Sequence, residues 1–296
     1  MLMKAAPRRI SSVLEMSATA GSVRAAGGRI ALVPTMGALH DGHLALIRRA
    51  AELAETVVVS LFVNPTQFGP NEDYDRYPRP IETDVAALAD LGLVDVLFAP
   101  TQGDMYPDGP ERHLIWIDTS SLDRTLCGAH RPGHFRAVAT VVAKLFNVCR
   151  PHVAIFGLKD AQQYVIVSRM VADLNFDVEV VGVPTQREPG GLAMSTRNLF
   201  LTSEELEEAV VLSEAVAGAA RMIEGGETDP EVIEAEMRRD LSRAKRAVVQ
   251  YASVVDAATL EEIRLIRPGQ RVLSAVAVYF GSTRLIDNTF SVARGR

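Results

Sequence analysis

The sequence predicts an α/β fold in which a parallel sheet carries helices on both faces and a smaller α+β domain follows. The first observation is an alternation of short apolar runs with helical repeats between residues 29 and 184, because strands joined by crossover helices form parallel sheets. The second is the change of pattern after Pro184. The third is composition: 48% of the 296 residues are hydrophobic and 23% are charged, as in globular proteins with a substantial core.

Two domains are expected, residues 1–184 and residues 185–296. Apolar, β-branched runs predict the strands of the first domain, which are 29–33, 56–63, 94–98, 153–156 and 178–183. Apolar residues at helical spacing predict the helices between them, which are 42–51, 82–91, 134–149 and 162–174. In the second domain, Thr202 with Glu205 and Asp229 with Pro230 are typical helix starts. Strands are predicted there at 248–255 and 272–280.

Charge and cysteine usage exclude several classes of protein. The net charge of −6 argues against a general nucleic-acid surface, so an anionic ligand would need a local positive pocket or a metal ion. Two cysteines, Cys127 and Cys149, are too few for a disulfide scaffold and fit a reducing cytoplasm. The first ten residues are basic without an apolar run, so we expect no signal peptide. No apolar stretch approaches the length of a membrane span.

The stretch His40-Asp41-Gly42-His43 follows the first predicted strand and begins the first predicted helix. Unpaired backbone N–H groups and the positive end of the helix dipole favour an anion such as phosphate at that position. Gly42 lacks a side chain and would let a nucleotide approach the backbone. Two imidazoles can donate hydrogen bonds to charge that develops on phosphate. Two polar loop histidines are the plainer alternative.

Other polar residues follow the remaining predicted strands, where ligands bind in open parallel sheets. They are Asn64 and Gln67 after the second strand, Gly157, Lys159, Asp160 and Gln163 after the fourth, and Met194, Ser195, Thr196 and Arg197 after the fifth. Each has an ordinary alternative, such as a surface ion pair for Lys159 with Asp160, or a solvated helix start for Gln162 and Gln163. Their shared position at strand ends favours binding. Dinucleotide, P-loop, nucleophile-elbow and zinc motifs do not occur in the sequence.

Six ordered motifs resemble the signatures of the pantoate–β-alanine ligase (pantothenate synthetase) family. They are residues 34–43, 62–68, 131–135, 156–163, 191–198 and 284–288, and together they span about residues 29 to 290. The resemblance implies a nucleotidyltransferase with an HxGH motif, a Rossmann-like N-terminal domain and a smaller C-terminal lid domain. It also implies a cytoplasmic homodimer without nucleic-acid or membrane partners. The implied substrates are ATP, pantoate and β-alanine, with Mg²⁺ as cofactor and pantoyl-adenylate as intermediate.

The resemblance also implies a role for individual residues. The expected catalytic residues are His40, His43, Lys159 and Arg197. The expected ATP-binding residues are Pro34, Met36, His43, Gly157, Lys159, Asp160, Met194, Ser195, Thr196 and Arg197. The expected pantoate-binding residues are Gln67, Gln163, Met36 and Asn64. Asp84 is the candidate for helping to place Mg²⁺, which phosphate oxygens would hold for the most part.

Four positions depart from the family pattern, and two other functions stay open. Leu158, Ala161 and Cys127 replace an acid, an aromatic residue and a glutamate. Thr196 replaces a serine but keeps the hydroxyl. Since none of the expected binding groups is lost, we expect an active enzyme. One alternative is another HxGH transferase acting on a phosphate acceptor, although the amides Gln67 and Gln163 favour a less charged acceptor. The other is a family-like protein that binds ATP without turnover.

Overall fold

The computed structural model describes residues 6–70 and 72–294, in two compact units. The first unit comprises Met1–Thr119, Arg131–Leu158 and Ile166–Pro184, and the second comprises Ser120–His130, Lys159–Val165 and Thr185–Arg296. One border therefore falls at Pro184, while two shorter segments from earlier in the chain belong to the second unit. The assignment of residues 1–184 and 185–296 to separate functional domains stays a prediction. Residues 1–5, part of the region where no signal peptide is expected, lie outside the described residues.

The first unit contains a six-stranded parallel sheet, which confirms the predicted fold class. Its strands are β1 (Arg8–Ile10), β2 (Ile30–Thr35), β3 (Thr56–Leu61), β4 (Val96–Phe98), β5 (Val153–Gly157) and β6 (Glu179–Val183). Their order is β1-β4-β3-β2-β5-β6, with every pair parallel. Runs such as Val57-Val58-Val59 are buried throughout, as expected for strands with helices on both faces.

The helices of the chain connect these strands, and several of them belong to the second unit. They are α1 (Val13–Ala25), α2 (Asp41–Leu53), α3 (Ile81–Leu91), α4 (Gln102–Met105), α5 (Leu126–His130), α6 (His134–Cys149), α7 (Ala161–Asp173), α8 (Ser203–Ala209), α9 (Val211–Glu224) and α10 (Pro230–Leu241). Sequence patterns did not predict β1 or α1. The first has only three residues, two of them arginines, and in α1 only Met16 and Ala20 are buried.

The strand order has a switch point at β2 in the first unit. From β2 the chain moves outward through β3 to β4, and it then returns to the other side of β2 as β5 and β6. Ligands of open α/β sheets bind at such a switch point, beyond the carboxyl ends of the strands. His40 follows β2, and Gly157 is the last residue of β5. These two residues therefore lie at the strand ends where a ligand of such a sheet is expected.

The second unit has an antiparallel sheet of three strands, β7 (Ala247–Asp256), β8 (Arg271–Phe280) and β9 (Thr283–Val292). Helices α9 and α10 share an apolar core with this sheet, including Leu212, Ile233 and Val276. The predicted helix starts are confirmed, because Thr202 and Glu205 form a reciprocal cap and Asp229 accepts from the N–H of Glu231. The helix that follows Thr202 is interrupted at Val210, between α8 and α9. None of the helices among the described residues is long and apolar enough to cross a membrane.

Candidate active site

The two histidines of the HxGH motif cap helix α2 reciprocally. The Nδ1 atom of His40 accepts from the N–H of Gly42 at 3.1 Å, and Nδ1 of His43 accepts from the N–H of His40 at 3.3 Å. Their ring centroids lie 4.1 Å apart. Because both Nδ1 atoms accept hydrogen bonds, the neutral rings carry their protons on Nε2. The cap therefore places two Nε2–H donors, one from each histidine, side by side at the N-terminus of α2.

A buried carboxylate fixes the turn that leads into this cap. The two oxygens of Asp84 accept from the N–H groups of Ala38 at 2.9 Å and Leu39 at 2.7 Å. Asp84 is 2% exposed, and burial raises its pKa although both N–H donors favour the charged form. A side chain at Gly37 would approach Asp84 Oδ2 to 3.0 Å and Leu61 to 2.9 Å. Gly37, whose φ is +83°, therefore fits this turn for steric and conformational reasons.

Two of the predicted pantoate-binding amides, Gln67 and Asn64, contact each other after β3. The Nε2 group of Gln67 lies 3.0 Å from the sulfur of Met36, and its Oε1 accepts from Asn64 at 3.3 Å. Asn64 is 1% exposed, and its oxygen also accepts from Thr66 and from the hydroxyl of Tyr106. Asn64 therefore holds the side chain of Gln67 in place through this hydrogen bond. A direct contact of Asn64 with pantoate stays a prediction.

A cation and an imidazole hold Gln67 from its backbone side. The carbonyl oxygen of Gln67 accepts from Arg131 at 3.3 Å and from Nδ1 of His134 at 2.8 Å. Arg131 also donates through Nε to Glu72 at 2.6 Å and lies 3.0 Å from Nε2 of His134. Partial burial would raise the pKa of Glu72, but the hydrogen bond and charge of Arg131 outweigh it and lower that pKa. In the sequence, the motif at residues 131–135 is the signal for this network. The sequence analysis did not identify Glu72 as a member of it.

Gly157 leaves space at the end of β5. A side-chain carbon there would meet only Leu46, at 4.0 Å. Packing within the protein therefore does not require glycine at this position, which agrees with a ligand lying against it. Pro34 and Met36, which the sequence placed in the ATP pocket, are half-buried at the end of β2 and just after it.

In the second unit, Lys159, Asp160 and Gln163 lie on one short segment anchored by a buried neighbour. Gln162, 5% exposed, donates to the carbonyls of Leu122 at 2.8 Å and Thr125 at 3.0 Å, and accepts from Gly128 at 3.3 Å. The interpretation of Gln162 as a solvated helix start is therefore wrong. Lys159 Nζ lies 3.9 Å from the carboxylate of Asp160, a partly exposed pair of small energetic weight.

The loop with Met194, Ser195, Thr196 and Arg197 follows an antiparallel hairpin in the same unit. Arg187 pairs with Ala193, and the N–H of Met194 donates to Gln186 at 2.9 Å. Ser195 then caps a short 3₁₀ helix (Thr196–Phe200) by accepting from the N–H of Arg197 at 3.2 Å. The predicted phosphate-binding residues therefore occupy a defined turn.

Two of the departures from the family pattern, Ala161 and Cys127, are buried. Ala161 is 4% exposed in the first turn of α7. Cys127 is 8% exposed, and its sulfur lies 3.1 Å from Nη2 of Arg284 and 3.3 Å from the hydroxyl of Tyr251. Burial raises the pKa of Tyr251 well above its ordinary value, so the hydroxyl stays protonated. Leu158 begins a 3₁₀ turn directly before Lys159.

Comparisons with known proteins show the family of this chain. The family model of pantoate-β-alanine ligase matches residues 8–290. The chain is 56% identical over 285 residues to the pantothenate synthetase of Salinibacter ruber, covering 95% of this chain and 96% of that protein. It is 48% identical over 281 residues to that of Acetivibrio thermocellus, covering 95% and 98%.

Solved structures are similar over the same extent. Pantothenate synthetase from Thermus thermophilus aligns with a TM-score of 0.86 at 42% identity, covering 95% of this chain and 98% of that one. The pantoate-β-alanine ligase of Francisella tularensis, solved with β-γ ATP and β-alanine, aligns with a TM-score of 0.77 at 34% identity, covering 96% and 97%. The chain therefore belongs to the pantoate–β-alanine ligase family, enzymes that condense pantoate with β-alanine at the expense of ATP.

Proposed function

We propose that this enzyme adenylates pantoate through the two Nε2–H groups that the reciprocal histidine cap presents. The pantoate carboxylate attacks the α-phosphorus of ATP, and the bond to pyrophosphate breaks. The amine of β-alanine then attacks the acyl carbon of the adenylate and loses a proton, and AMP leaves as pantothenate forms. The observation that carries the proposal is the hydrogen bond that each Nδ1 accepts from the backbone.

His40 and His43 would act by stabilising charge. Negative charge grows on the phosphate oxygens as the new P–O bond forms, and fixed N–H donors stabilise it without reorganisation. Because the cap fixes the tautomers before ATP arrives, both donors are in place beforehand. The N-terminus of α2 contributes its dipole in the same direction.

The remaining residues would bind the parts of ATP. Lys159 would contact phosphate, and Asp160 would accept a hydrogen bond from a ribose hydroxyl. Ser195, Thr196 and Arg197 would bind the β- and γ-phosphates, with Arg197 as the cation suited to bidentate phosphate contacts. Pro34, Met36, Gly157 and Met194 would line the nucleotide pocket. Gln67 and Gln163 would bind pantoate, because an amide both donates and accepts and so suits a hydroxy acid.

Replacing Gln67 by leucine tests the pantoate site. The change removes the amide but keeps the size of the side chain, and we expect KM for pantoate to rise by about 10- to 100-fold, the cost of a lost hydrogen bond to a charged or hydroxyl group. KM for ATP should change little. The measurement is pyrophosphate exchange at varied pantoate, with Gln102→Leu, an exposed amide on α4, as the control. A Gln67→Leu enzyme with wild-type KM for pantoate would contradict the assignment.

Replacing Gly157 by alanine tests the nucleotide pocket. Since the protein leaves room for the added carbon, the melting temperature should stay the same or rise. KM for ATP should rise about tenfold or more, because the new methyl group displaces the ligand. Gly103→Ala on α4 is a matched control, since its added carbon would meet only Thr101, at 3.8 Å. Equal KM values for ATP in the two variants would argue against a nucleotide at Gly157.

We also propose Mg²⁺ as the cofactor, held mainly by ATP. The described residues contain no group of three or more His, Cys, Asp or Glu side chains able to hold a metal ion. The donor set near the switch point is the carboxylate of Asp84, whose oxygens already accept two N–H groups. Such a set fits Mg²⁺ only when phosphates and waters supply most ligands, which is its usual mode in nucleotide sites. When bound, Mg²⁺ would neutralise phosphate charge.

We propose a homodimer in the cytoplasm. Two adjacent apolar residues of the first unit, Leu114 and Ile115, are 88% and 79% exposed, and contact with a second copy of the chain would remove this apolar surface from water. Both cysteines are free, which fits a reducing compartment.

Light scattering after size-exclusion chromatography tests the dimer. The wild-type protein should elute as a dimer, and the double variant Leu114→Asp, Ile115→Asp as a monomer, because buried charges oppose association. Leu14→Asp, at another exposed leucine (83%) on α1, should remain dimeric. A monomeric wild-type protein, or a dimeric double variant, would refute this interface.

A further inference from the structure

The motif at residues 284–288 has no part in the chemistry described above, yet it contains two consecutive buried polar residues. Asp287 is 1% exposed and Asn288 is 7% exposed. They lie in the middle of β9, paired with Val276 and Ala275 of β8. Side chains alternate along a strand, so these two neighbours reach opposite faces of the three-stranded sheet. Each holds a different segment of the second unit.

Asn288 holds the segment that carries Lys159. Its Nδ2 group donates to the carbonyl oxygen of Lys159 at 2.7 Å. This bond fixes the backbone at the residue expected to contact phosphate. Three residues further on, Gln162 anchors the same segment to residues 122–128. The segment between these anchors carries Asp160, and Gln163 follows directly.

Asp287 holds the hairpin that precedes the Met194–Arg197 loop. Its two carboxylate oxygens accept from the guanidinium of Arg187 at 2.6 and 3.0 Å, and Oδ1 also accepts from the N–H of Asn288 at 2.8 Å. Arg187 donates in addition to the carbonyl of Gly191 at 3.0 Å. Because Arg187 also pairs with Ala193, the ion pair fixes both arms of the hairpin and the point from which the loop starts.

We infer that Asp287 and Asn288 are positioning residues. From one strand, β9, they hold the two phosphate-binding segments at a fixed distance from each other. The inference rests on the proposed roles of Lys159 and Arg197. Each of the two segments would lose conformational freedom on binding ATP. A rigid strand that holds both in advance lowers that cost, and a small displacement of a positioned group has a large effect on rate. Substitution of Asp287 or Asn288 should therefore raise KM for ATP, although neither residue is expected to contact ATP.

The experiment uses three substitutions chosen to keep the fold. Asn288→Leu removes the donor to Lys159 at nearly constant volume. Asp287→Asn removes the charge but keeps an oxygen for the N–H of Asn288. Arg187→Lys keeps the charge and loses the two-point contact. The matched control is Ser291→Ala on the same strand, since the hydroxyl of Ser291 is buried and has no hydrogen-bond partner among the described residues.

Two half-reactions separate positioning from a general loss of structure. The first is pyrophosphate exchange into ATP with pantoate, which needs all three phosphates of ATP. The second starts from prepared pantoyl-adenylate and β-alanine, and it involves no β- or γ-phosphate. We expect each variant to raise KM for ATP in the first reaction about tenfold. Asp287→Asn and Arg187→Lys, which act on the loop for the β- and γ-phosphates alone, should stay within about threefold of wild type in the second reaction. Ser291→Ala should match wild type in both.

Lys159→Ala and Arg197→Ala, measured in parallel, distinguish the two ways of failing. If neither raises KM for ATP, the proposed phosphate contacts are wrong, and the positioning role falls with them. If both raise it while the β9 and Arg187 variants behave as Ser291→Ala, the contacts stand and the positioning role is overturned. Equal losses in both half-reactions, in step with a lower melting temperature, would show a purely structural role and also overturn it.

Discussion

Replacing His43 by asparagine should lower pantoate-dependent pyrophosphate exchange by about 10²- to 10³-fold, the usual cost of losing one preorganised donor to developing charge. The amide oxygen of asparagine can replace Nδ1 of His43 and accept from the N–H of His40, a bond now 3.3 Å long. Asparagine has no group at the position of Nε2. The substitution therefore keeps the cap of α2 and removes the donor, so the melting temperature should change little.

A second histidine provides the control for this experiment. Nδ1 of His152 also accepts a backbone N–H, from Ile30 at 3.0 Å, at the opposite end of β2 from His40. His152→Asn makes the same chemical change and should leave exchange at the wild-type rate. If His43→Asn and His152→Asn have equal activity, the histidine motif acts only as a helix cap and the catalytic assignment of His43 fails.

Replacing Asp84 by asparagine should destabilise the enzyme by about 2–3 kcal/mol, because a buried carboxylate that accepts two N–H groups becomes an amide whose NH₂ faces one of them. The turn at Gly37–Leu39 would lose its anchor directly before His40. We therefore expect exchange to fall together with stability. Urea unfolding and the exchange assay measure the two effects.

The control for Asp84 is a partly exposed acid in a similar local role. Asp104 accepts from the N–H and the hydroxyl of Thr101 at the start of α4, and Asp104→Asn should cost less than about 1 kcal/mol because water can replace the bond. An Asp84→Asn enzyme of wild-type stability that needs more Mg²⁺ would assign Asp84 to the metal instead of the turn. Its burial at 2% exposure is the reason we expect the opposite.

The parallel sheet could be predicted from sequence because its strands are continuous apolar runs between turn residues. Strand β9 could not, since Arg284, Asp287 and Asn288 interrupt its apolar pattern. Its polar residues are satisfied by segments distant in sequence, namely the hairpin at Arg187 and the backbone of Lys159. Local patterning contains no information about such partners, so only the folded chain explains why this motif is polar and buried.

The candidate site divides in the same way. Residue types and strand ends were enough to select His40, His43, Gln67 and Lys159. The hydrogen bonds that fix the imidazole tautomers depend on the turn geometry of α2, which spacing alone does not determine. The hydrogen bonds by which Gln162 and Glu72 hold site segments were also not predicted. The sequence does not distinguish a buried polar side chain from a solvated one.

The measurement that tests the account most directly is exchange of labelled pyrophosphate into ATP by the wild-type enzyme, with each substrate omitted in turn. We expect exchange that requires Mg²⁺ and pantoate and proceeds without β-alanine, because the adenylate forms before the amine reacts. Exchange that requires β-alanine would contradict an adenylate made by the histidine pair. So would a lack of exchange in folded enzyme that forms pantothenate from all three substrates.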